Sequence, residues 1–304
     1  VEAKSANVRG AFRARPASAD GHLRTNLPRG GSLRCGAGAG LRGGLPRFGF
    51  PKRGASDALR GGATSALGPR HILLIDDVCT TGATATATGP TYLDCIKLDG
   101  TRLWRINLGP NILGGCRLTF LCYDFDGDGY GELITKTAPG TKDGNGKYVI
   151  MNNDDPTKDY RNSSGYILSG PEYLTIFDGA SGAEINTIAY VPDRGTVSSW
   201  GDKYGNRVDR FLACTAYLDG EHPSIVMCRG YYTRATLVAF DYKNGKLVQR
   251  WYHNSATAGQ GAYGEGDHSI LVADVDNDGK DELIYGSACI DDDGSLYYRT
   301  GFGH

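Results

Sequence analysis

Two acidic segments constrain this chain more than any other feature. Residues 124–132 and 274–282 share the spacing Asp-x-Asp-x-Asp-Gly-x-x-Glu. Alternate acids in a tight loop direct several carboxylate oxygens toward one centre, and the glycine permits the turn. Calcium, a hard cation, takes about six to eight oxygen ligands. The spacing therefore predicts Ca²⁺ as a cofactor, held by Asp124, Asp126, Asp128, Glu132, Asp274, Asp276, Asp278 and Glu282.

The acidic segments differ from an EF-hand, although they begin in the same way. Their last acid stands at the ninth position of the segment, whereas an EF-hand places it at about the twelfth. No flanking helices are predicted either. A solvated acidic turn is the alternative to a metal site. If calcium binds, its expected role is to hold the loop between two strands, with direct catalysis as the other possibility.

Short hairpins alternate with the acidic segments along the chain. Residues 95–106, 175–188 and 238–251 each read as strand, polar turn and return strand, with Asp at the turn entry and Gly near its exit. A third, degraded acidic segment covers residues 216–230. Repeated antiparallel units of this kind predict an all-β fold built from β-propeller blades. Their uneven spacing leaves a stacked sandwich open.

The N-terminal quarter differs in charge and composition. Residues 1–70 carry 13 of the 33 Lys and Arg residues but only three of the 34 acids. Residues 20–70 are rich in Gly and Arg and show no apolar period, which predicts a largely disordered segment. An RNA-binding Gly/Arg tail is the alternative, but interleaved aromatics are sparse, so we expect no nucleic-acid partner. No apolar run is long enough to predict a membrane span.

A second motif follows this segment. The apolar run 71–75 predicts a buried parallel strand that delivers Asp76 and Asp77 to a loop containing Thr80, Thr81, Gly82 and Thr84. The stretch ILLIDDVCTTGAT resembles the ribose-phosphate motif of type I phosphoribosyltransferases, and residues 7–12, NVRGAF, resemble a second piece of the competence-type amidophosphoribosyltransferase-like branch. That resemblance implies acids on the ribose hydroxyls and a loop on the 5′-phosphate. Since the surrounding sheet and helix are missing, we interpret residues 1–90 as a disordered or remnant segment without a site.

From about residue 91 the chain resembles a different family. The stretches YLDCIKLDGTRLWRINLGPNI, YDFDGDGYGELITKTAPGTKDGNGKY and GDHSILVADVDNDGKDELIYG are similar to the rhamnogalacturonan lyases of polysaccharide lyase family eleven. The resemblance implies a secreted, calcium-binding, eight-bladed propeller that cleaves the rhamnose–galacturonate backbone of rhamnogalacturonan I, a pectin, by β-elimination. Residues 91–304 would then form a partial propeller, which we expect to be monomeric. One departure is Cys116, where the family usually has His.

The resemblance also implies site residues. His268 and His304 would line the sugar groove, and Asp143 would contact a sugar hydroxyl. Candidates for the base that removes the substrate proton are His268, His304, Arg234 and Lys142. Each has a structural alternative: a blade-edge partner for His268, a frayed end for His304, a turn or calcium ligand for Asp143, and an ion pair for Arg234.

Three functions remain open at this point. The first is a calcium-dependent pectin lyase, whole or in part. The second is a catalytically empty propeller that binds sugar or protein. The third is a phosphoribosyltransferase, which only residues 71–84 support.

Overall fold

The computed structural model describes residues 71–74, 91–97, 99–114 and 117–303. The N-terminal Gly/Arg segment, the phosphoribosyl motif from Asp76 to Thr84, Cys116 and His304 lie outside the described residues. Within the described ranges the strands are β1 (His71–Leu74), β2 (Thr91–Lys97), β3 (Arg102–Gly109), β4 (Phe120–Tyr123), β5 (Glu132–Thr137), β6 (Tyr173–Phe177), β7 (Glu184–Ala189), β8 (Phe211–Ala216), β9 (Ser224–Arg229), β10 (Ala235–Lys243), β11 (Lys246–Ser255), β12 (Ile270–Ala273), β13 (Glu282–Tyr285), β14 (Ala288–Ile290) and β15 (Leu296–Arg299).

The strands form four separate antiparallel sheets, each a meander in chain order. We call them sheet A (β1–β3), sheet B (β4–β7), sheet C (β8–β11) and sheet D (β12–β15). The predicted hairpins are β2–β3, β6–β7 and β10–β11, and the acidic segments connect the first two strands of sheets B, C and D. The all-β prediction is thus confirmed, and a short 3₁₀ turn at Val197–Trp200 adds little helix.

The prediction of a parallel strand at residues 71–75 is wrong. β1 runs antiparallel to β2, with His71 opposite Lys97 and Leu74 opposite Asp94. The other edge of β2 is hydrogen-bonded to β3, so β1 extends an antiparallel meander. A short apolar run fits either sheet type, and only the partner strand decides between them.

Buried apolar residues lie between successive sheets. Three clusters join A to B, B to C, and C to D. β9 is buried on both faces: Ile225 and Met227 enter the cluster shared with sheet B, while Val226 and Cys228 enter the one shared with sheet D. Because side chains alternate across a strand, a fully apolar strand is buried on both sides.

A tryptophan–glycine contact recurs where one sheet meets the next. Trp104 on β3 donates from Nε1 to the Gly179 carbonyl at 3.0 Å, and Trp251 on β11 donates to the Asp292 carbonyl at 2.8 Å. Gly182 and Gly294 lie beneath these two rings with φ of 69° and 86°. A Cβ at either position would approach its ring to 2.8 or 2.7 Å. Glycine is therefore needed at both positions, for the positive φ of the backbone and for the space that the ring occupies.

The first strands of successive sheets are neighbours, since β4 lies beside β8 and β8 beside β12. Among the described residues these sheets do not close on one another, so a complete eight-bladed ring remains a prediction. No helix in the described part of the chain has the length and apolar character needed to cross a bilayer.

Candidate functional site

The first acidic loop connects β4 to β5 and folds around its own carboxylates. Asp124 accepts the amides of Gly127 at 2.7 Å and Gly129 at 2.9 Å, while Glu132 Oε2 accepts the Phe125 amide at 2.8 Å. These bonds bring oxygens of Asp124, Asp126 and Glu132 within 4.8 Å of one another.

The second acidic loop, between β12 and β13, repeats this arrangement. Glu282 Oε2 accepts the Val275 amide at 2.6 Å, and Asp274 Oδ2 accepts the Gly279 amide at 3.1 Å. Oxygens of Asp274, Asp276 and Glu282 lie within 4.8 Å of one another. Asp274 Oδ1 and Glu282 Oε1 are buried without a hydrogen-bond partner among the described residues. Burying such oxygens without a partner costs free energy unless a positively charged group lies beside them.

The third aspartate of each loop also accepts a backbone amide of the turn. Asp128 Oδ1 accepts the Tyr130 amide at 2.7 Å, and Asp278 Oδ1 accepts the Lys280 amide at 2.8 Å. Neither carboxylate belongs to the close oxygen groups. The structure therefore brings together six of the eight predicted metal ligands in two groups, and a ligand role for Asp128 and Asp278 stays a prediction.

Burial makes the glutamates unfavourable as anions. Burial, together with the charges of Asp126, Asp124 and Asp128, raises the pKa of Glu132 to about 7, although the hydrogen bond from the Phe125 amide opposes this. Burial likewise raises the pKa of Glu282, with added repulsion from nearby aspartates. A divalent cation would relieve both costs, and an all-oxygen donor set suits a hard ion. The residues present thus fit Ca²⁺.

The second loop has acidic neighbours beyond its own segment. Asp291 and Asp292, in the β14–β15 turn, bring oxygens within 4.8 Å of Glu282. Lys280 Nζ lies 2.9 Å from Asp292 and 3.4 Å from Asp278, so part of this charge is already paired. The sequence interpretation missed these two acids, although the run Asp291-Asp292-Asp293 was a visible signal.

A different group of side chains lies at the opposite end of the sheets. Tyr231 and Tyr232 follow β9, and His268 precedes β12, so strand direction places them away from the acidic loops. The Tyr232 hydroxyl is hydrogen-bonded to His268 Nε2. The Tyr231 ring centre lies 3.9 Å from that of Tyr232 and 5.3 Å from that of His268. Tyr231 is buried, whereas His268 is exposed.

Tyr232 has an unusual backbone. Its φ is 63°, in the left-handed region that bulky residues rarely adopt. Two loop bonds hold it there: the Tyr232 amide donates to Gly266 O at 3.0 Å, and the Gly264 amide donates to Thr233 O at 2.9 Å. Strain retained in this way is concentrated at binding and catalytic sites.

Arginines flank the aromatic group. The guanidinium of Arg210 lies 4.8 Å from the Tyr231 ring centre, and that of Arg207 lies 6.0 Å from the Tyr232 ring centre. Asn206 Nδ2 donates to the Tyr231 hydroxyl at 2.7 Å. We call Arg207, Arg210, Tyr231, Tyr232 and His268 the aromatic–basic cluster. The sequence interpretation missed its arginines, although the stretch DKYGNRVDR is dense in charge.

The other base candidates lie elsewhere. Arg234 stacks 4.1 Å above the buried Trp200 ring, and its Nε lies 3.4 Å from Asn254 Oδ1. Lys142, in the β5–β6 connection, has Nζ 4.6 Å from the Tyr148 ring centre and lines an open groove of about 430 Å³ with Arg161. The structure thus places Arg234 in a stacked pair and Lys142 beside sheet A.

Asp143 is buried in a turn of the β5–β6 connection. Its Oδ1 accepts the amides of Asn145 at 3.0 Å and Lys147 at 2.9 Å, and its Oδ2 accepts the Glu184 amide at 3.2 Å. These bonds support the turn alternative. Contact between Asp143 and a sugar hydroxyl stays a prediction.

Fold and loops together define an all-β protein of serial antiparallel meanders with paired acidic cation-type loops. A family description, the C-terminal domain of rhamnogalacturonan lyase family 11, matches residues 77–304. The chain belongs to this family. The match begins at Asp77, within the phosphoribosyl-like motif, and covers the whole of the described strands from β2 onward.

Curated relatives agree with this assignment. The chain is 57% identical over 219 residues to the rhamnogalacturonan exolyase YesX of Bacillus subtilis (strain 168) and 54% identical to the rhamnogalacturonan endolyase YesW of the same organism. Both alignments cover 71% of this chain and 35% of the relative. The chain therefore spans about a third of the length of the curated relatives it matches.

Solved structures show the same relationship. The exotype rhamnogalacturonan lyase YesX superposes with a TM-score of 0.68 at 56% identity, over 71% of this chain and 35% of that one. The Bacillus licheniformis rhamnogalacturonan lyase PL11 gives 0.68 at 58% identity, over 71% of this chain and 37% of that one.

Proposed function

We propose that this chain carries part of a lyase that cleaves the rhamnose–galacturonate backbone of rhamnogalacturonan I by β-elimination. The observation that carries the proposal is the family match over residues 77–304, together with relatives named as rhamnogalacturonan lyases. Those relatives include an exolyase and an endolyase at similar identity, so the proposal is limited to the reaction and its polymer.

The aromatic–basic cluster supports binding of an acidic sugar. Tyr232 and His268 offer ring faces and hydrogen-bonding groups at the accessible side, and Arg207 and Arg210 supply positive charge. A galacturonate carries one carboxylate per ring, which guanidinium groups recognise well. The cluster therefore suits a uronate better than a neutral sugar.

The proposed reaction needs positive charge near that carboxylate. A base removes the proton from C5 of the galacturonate, the bond between C4 and its glycosidic oxygen breaks, and a C4–C5 double bond forms. The departing oxygen takes a proton. Negative charge develops beside the carboxylate, so fixed cations lower the barrier. Because Nε2 of His268 is hydrogen-bonded to the Tyr232 hydroxyl, we propose that the other ring nitrogen of His268 contacts the sugar.

We further propose Ca²⁺ as the ion of both acidic loops. Asp124, Asp126 and Glu132 would hold one ion, and Asp274, Asp276 and Glu282 another. Bound calcium supplies charge compensation to the buried glutamates. Its expected role is to fix each loop between the first two strands of its sheet, at the end away from the aromatic–basic cluster.

The wider architecture is also a proposal. Serial packing of meanders with neighbouring first strands supports consecutive propeller blades, and the family resemblance implies eight in a complete ring. We propose that the protein is secreted and monomeric, as expected for an enzyme that meets pectin outside the cell.

The test is release of unsaturated uronides from rhamnogalacturonan I, followed by ultraviolet absorbance in calcium buffer. Binding of rhamnogalacturonan oligosaccharides is measured in parallel by calorimetry. We expect product from this chain, lost in His268→Ala and kept in His222→Ala, which changes an exposed histidine within the degraded acidic segment. Binding without product would support the catalytically empty propeller instead. Absence of both product and binding would reject the proposal.

A further inference from the structure

A cluster of five charged side chains is buried between sheets B and C, and the functional proposal does not use it. We call it the buried charge cluster: Lys136, Glu172, Arg194, Asp209 and Arg229. None of these side chains is more than 8% exposed. Charges so far from water are costly unless every one is compensated.

Glu172 is the hub of the cluster. Its Oε1 lies 2.8 Å from Lys136 Nζ and 2.6 Å from Arg194 Nη2, and its Oε2 lies 2.8 Å from Arg229 Nη1. Asp209 Oδ1 lies 2.7 Å from Arg194 Nη1. Although burial acts in the opposite direction, Lys136, Arg229 and Arg194 hold the pKa of Glu172 well below its usual range. The Glu172 carboxylate is therefore anionic.

The cluster holds more positive than negative charge. Lys136, Arg194 and Arg229 give three cations, and Glu172 and Asp209 give two anions, which leaves one positive charge. Arg229 also donates to the carbonyls of Val208 and Pro192, both at 2.9 Å. These backbone dipoles stabilise part of its positive charge. A carbonyl dipole does not cancel a full charge.

A small cavity lies beside the buried charge cluster and its one excess positive charge. Its volume is about 10 Å³, roughly the space that one water-sized particle needs. Its polar wall consists of Lys136, Arg194, Asp209 and Arg117, three cations against one carboxylate. Arg194 Nε is buried without a hydrogen-bond partner among the described residues. An unpaired donor of a buried guanidinium beside such a cavity points to an acceptor that the protein itself does not supply.

We propose that this cavity binds one small inorganic anion, chloride in ordinary saline, which balances the buried charge cluster. The cavity is too small for a sugar carboxylate with its ring, and it is walled by apolar side chains such as Ile112 and Phe211. A halide is the anion best suited to so small a cavity, because it is monatomic and accepts bonds from several donors at once. The anion holds sheets B and C together.

Loss of the Lys136 proton is the rival way to balance the cluster. Lys136 faces Glu172, Asp209, Arg194 and Arg229, and its Nζ lies 4.9 Å from the Phe211 ring centre. Burial lowers its pKa, and the two carboxylates oppose that effect. A neutral Lys136 would leave no charge for an anion to balance, so the two accounts predict opposite responses to halide.

The first experiment locates the anion directly. Crystals of the full chain are soaked in sodium bromide, and anomalous diffraction is recorded at the bromine edge. We expect an anomalous peak in the cavity, within hydrogen-bonding distance of Lys136 Nζ and Arg194 Nε. A cavity that is empty, or that holds only water at full bromide exchange, would overturn the proposal.

The second experiment measures thermal unfolding in sodium chloride and in sodium gluconate at equal ionic strength and constant calcium gluconate. We expect the Tm of the unmodified chain to be about 5 °C higher in chloride. Lys136→Met removes the excess charge and should abolish the difference, whereas Lys246→Met, at an exposed lysine, should keep it. An equal Tm in both salts would contradict anion binding. A chloride effect that persists in Lys136→Met would exclude this cavity as its source.

Discussion

The two ends of the sheets contrast in chemistry. The acidic loops turn back on themselves, because Asp124, Asp274 and Glu282 accept amides of their own segment. The aromatic–basic cluster joins separate segments, since Tyr231, Tyr232, Arg210 and His268 come from three connections. The acidic loops are local structures that a short sequence can specify. The aromatic–basic cluster exists only when sheets B, C and D are packed.

This contrast predicts that changes at the two ends have different consequences. Changes in the acidic loops should alter stability and calcium dependence with little effect on substrate affinity. Changes in the aromatic–basic cluster should alter reaction or binding and leave unfolding almost unchanged.

The largest expected effect is on the reaction. His268→Ala should lower kcat/KM for rhamnogalacturonan I about 100-fold, since it removes a polar group that we propose contacts the sugar. Because His268 is exposed, the Tm of the His268→Ala variant should stay within about 2 °C of that of the unmodified chain. Product release and calorimetric unfolding are measured on the same samples. A large fall in Tm together with lost activity would break the contrast.

Glu282→Gln should have the next largest effect, this time on stability. The change removes a buried carboxylate that we propose as a calcium ligand of the second loop, so calcium should stabilise the variant by about 2 kcal/mol less than the unmodified chain. Urea unfolding with calcium and with a chelator gives the difference. Asp278→Asn is the matched control, since Asp278 lies outside the close oxygen group and should retain most of the calcium effect. Equal losses in both variants would contradict the assigned ligands.

Arg210→Gln should have a moderate effect on binding. It removes a charge that we assign to the uronate carboxylate while keeping a donor near the Tyr231 hydroxyl, so KM should rise about tenfold, close to 1.4 kcal/mol. Steady-state kinetics separate KM from kcat. The control is Arg250→Gln, an arginine paired with Asp241 at 3.3 Å in sheet C. A tenfold change in the control, or none in Arg210→Gln, would contradict the assignment.

The smallest expected effect concerns acid stability at the junction of sheets C and D. His253 Nδ1 lies 2.8 Å from the Gly294 carbonyl, and Nε2 lies 3.0 Å from Ser255 Oγ. Burial lowers the pKa of His253, although the Gly294 carbonyl opposes this. The folded chain thus favours neutral His253, whose contribution is complete above the unfolded value of 6.5 and is lost as pH falls below it.

We therefore expect His253→Gln to flatten the loss of unfolding free energy between neutral and acidic pH, by less than about 1 kcal/mol. Denaturant unfolding across that pH range measures the slope. His222→Gln, at an exposed histidine, should keep the slope of the unmodified chain. A steeper slope in His253→Gln would reverse the inferred direction.

The two acidic loops also differ from each other. Both present three close carboxylates, but the second has Asp291 and Asp292 beside Glu282. More acidic oxygens strengthen calcium binding. The second loop should therefore be the tighter site, a ranking that sequence spacing alone did not give because the two spacings are identical.

Much of the architecture was predictable because it depends on local pattern. Asp and Gly at fixed turn positions gave the hairpins of sheets A, B and C, and the two acidic spacings gave the loops of sheets B and D. The β14–β15 hairpin was missed because its strands are only three and four residues long. Spacing predicted all three aspartates of each loop as ligands and does not show which of them share a close oxygen group with the glutamate, so a ligand role for Asp128 and Asp278 stays a prediction.

The sequence by itself determined the all-β class, the cation-type loops and the family, since each is encoded by neighbours along the chain. Only the tertiary structure decided that His268 meets Tyr232, that Arg210 reaches Tyr231, and that Lys136, Glu172 and Arg229 share one buried cluster. These partners are 21 to 57 residues apart. The physical reason is that long-range contacts form when apolar faces of successive sheets are buried together, and no local pattern states which loops that packing brings side by side.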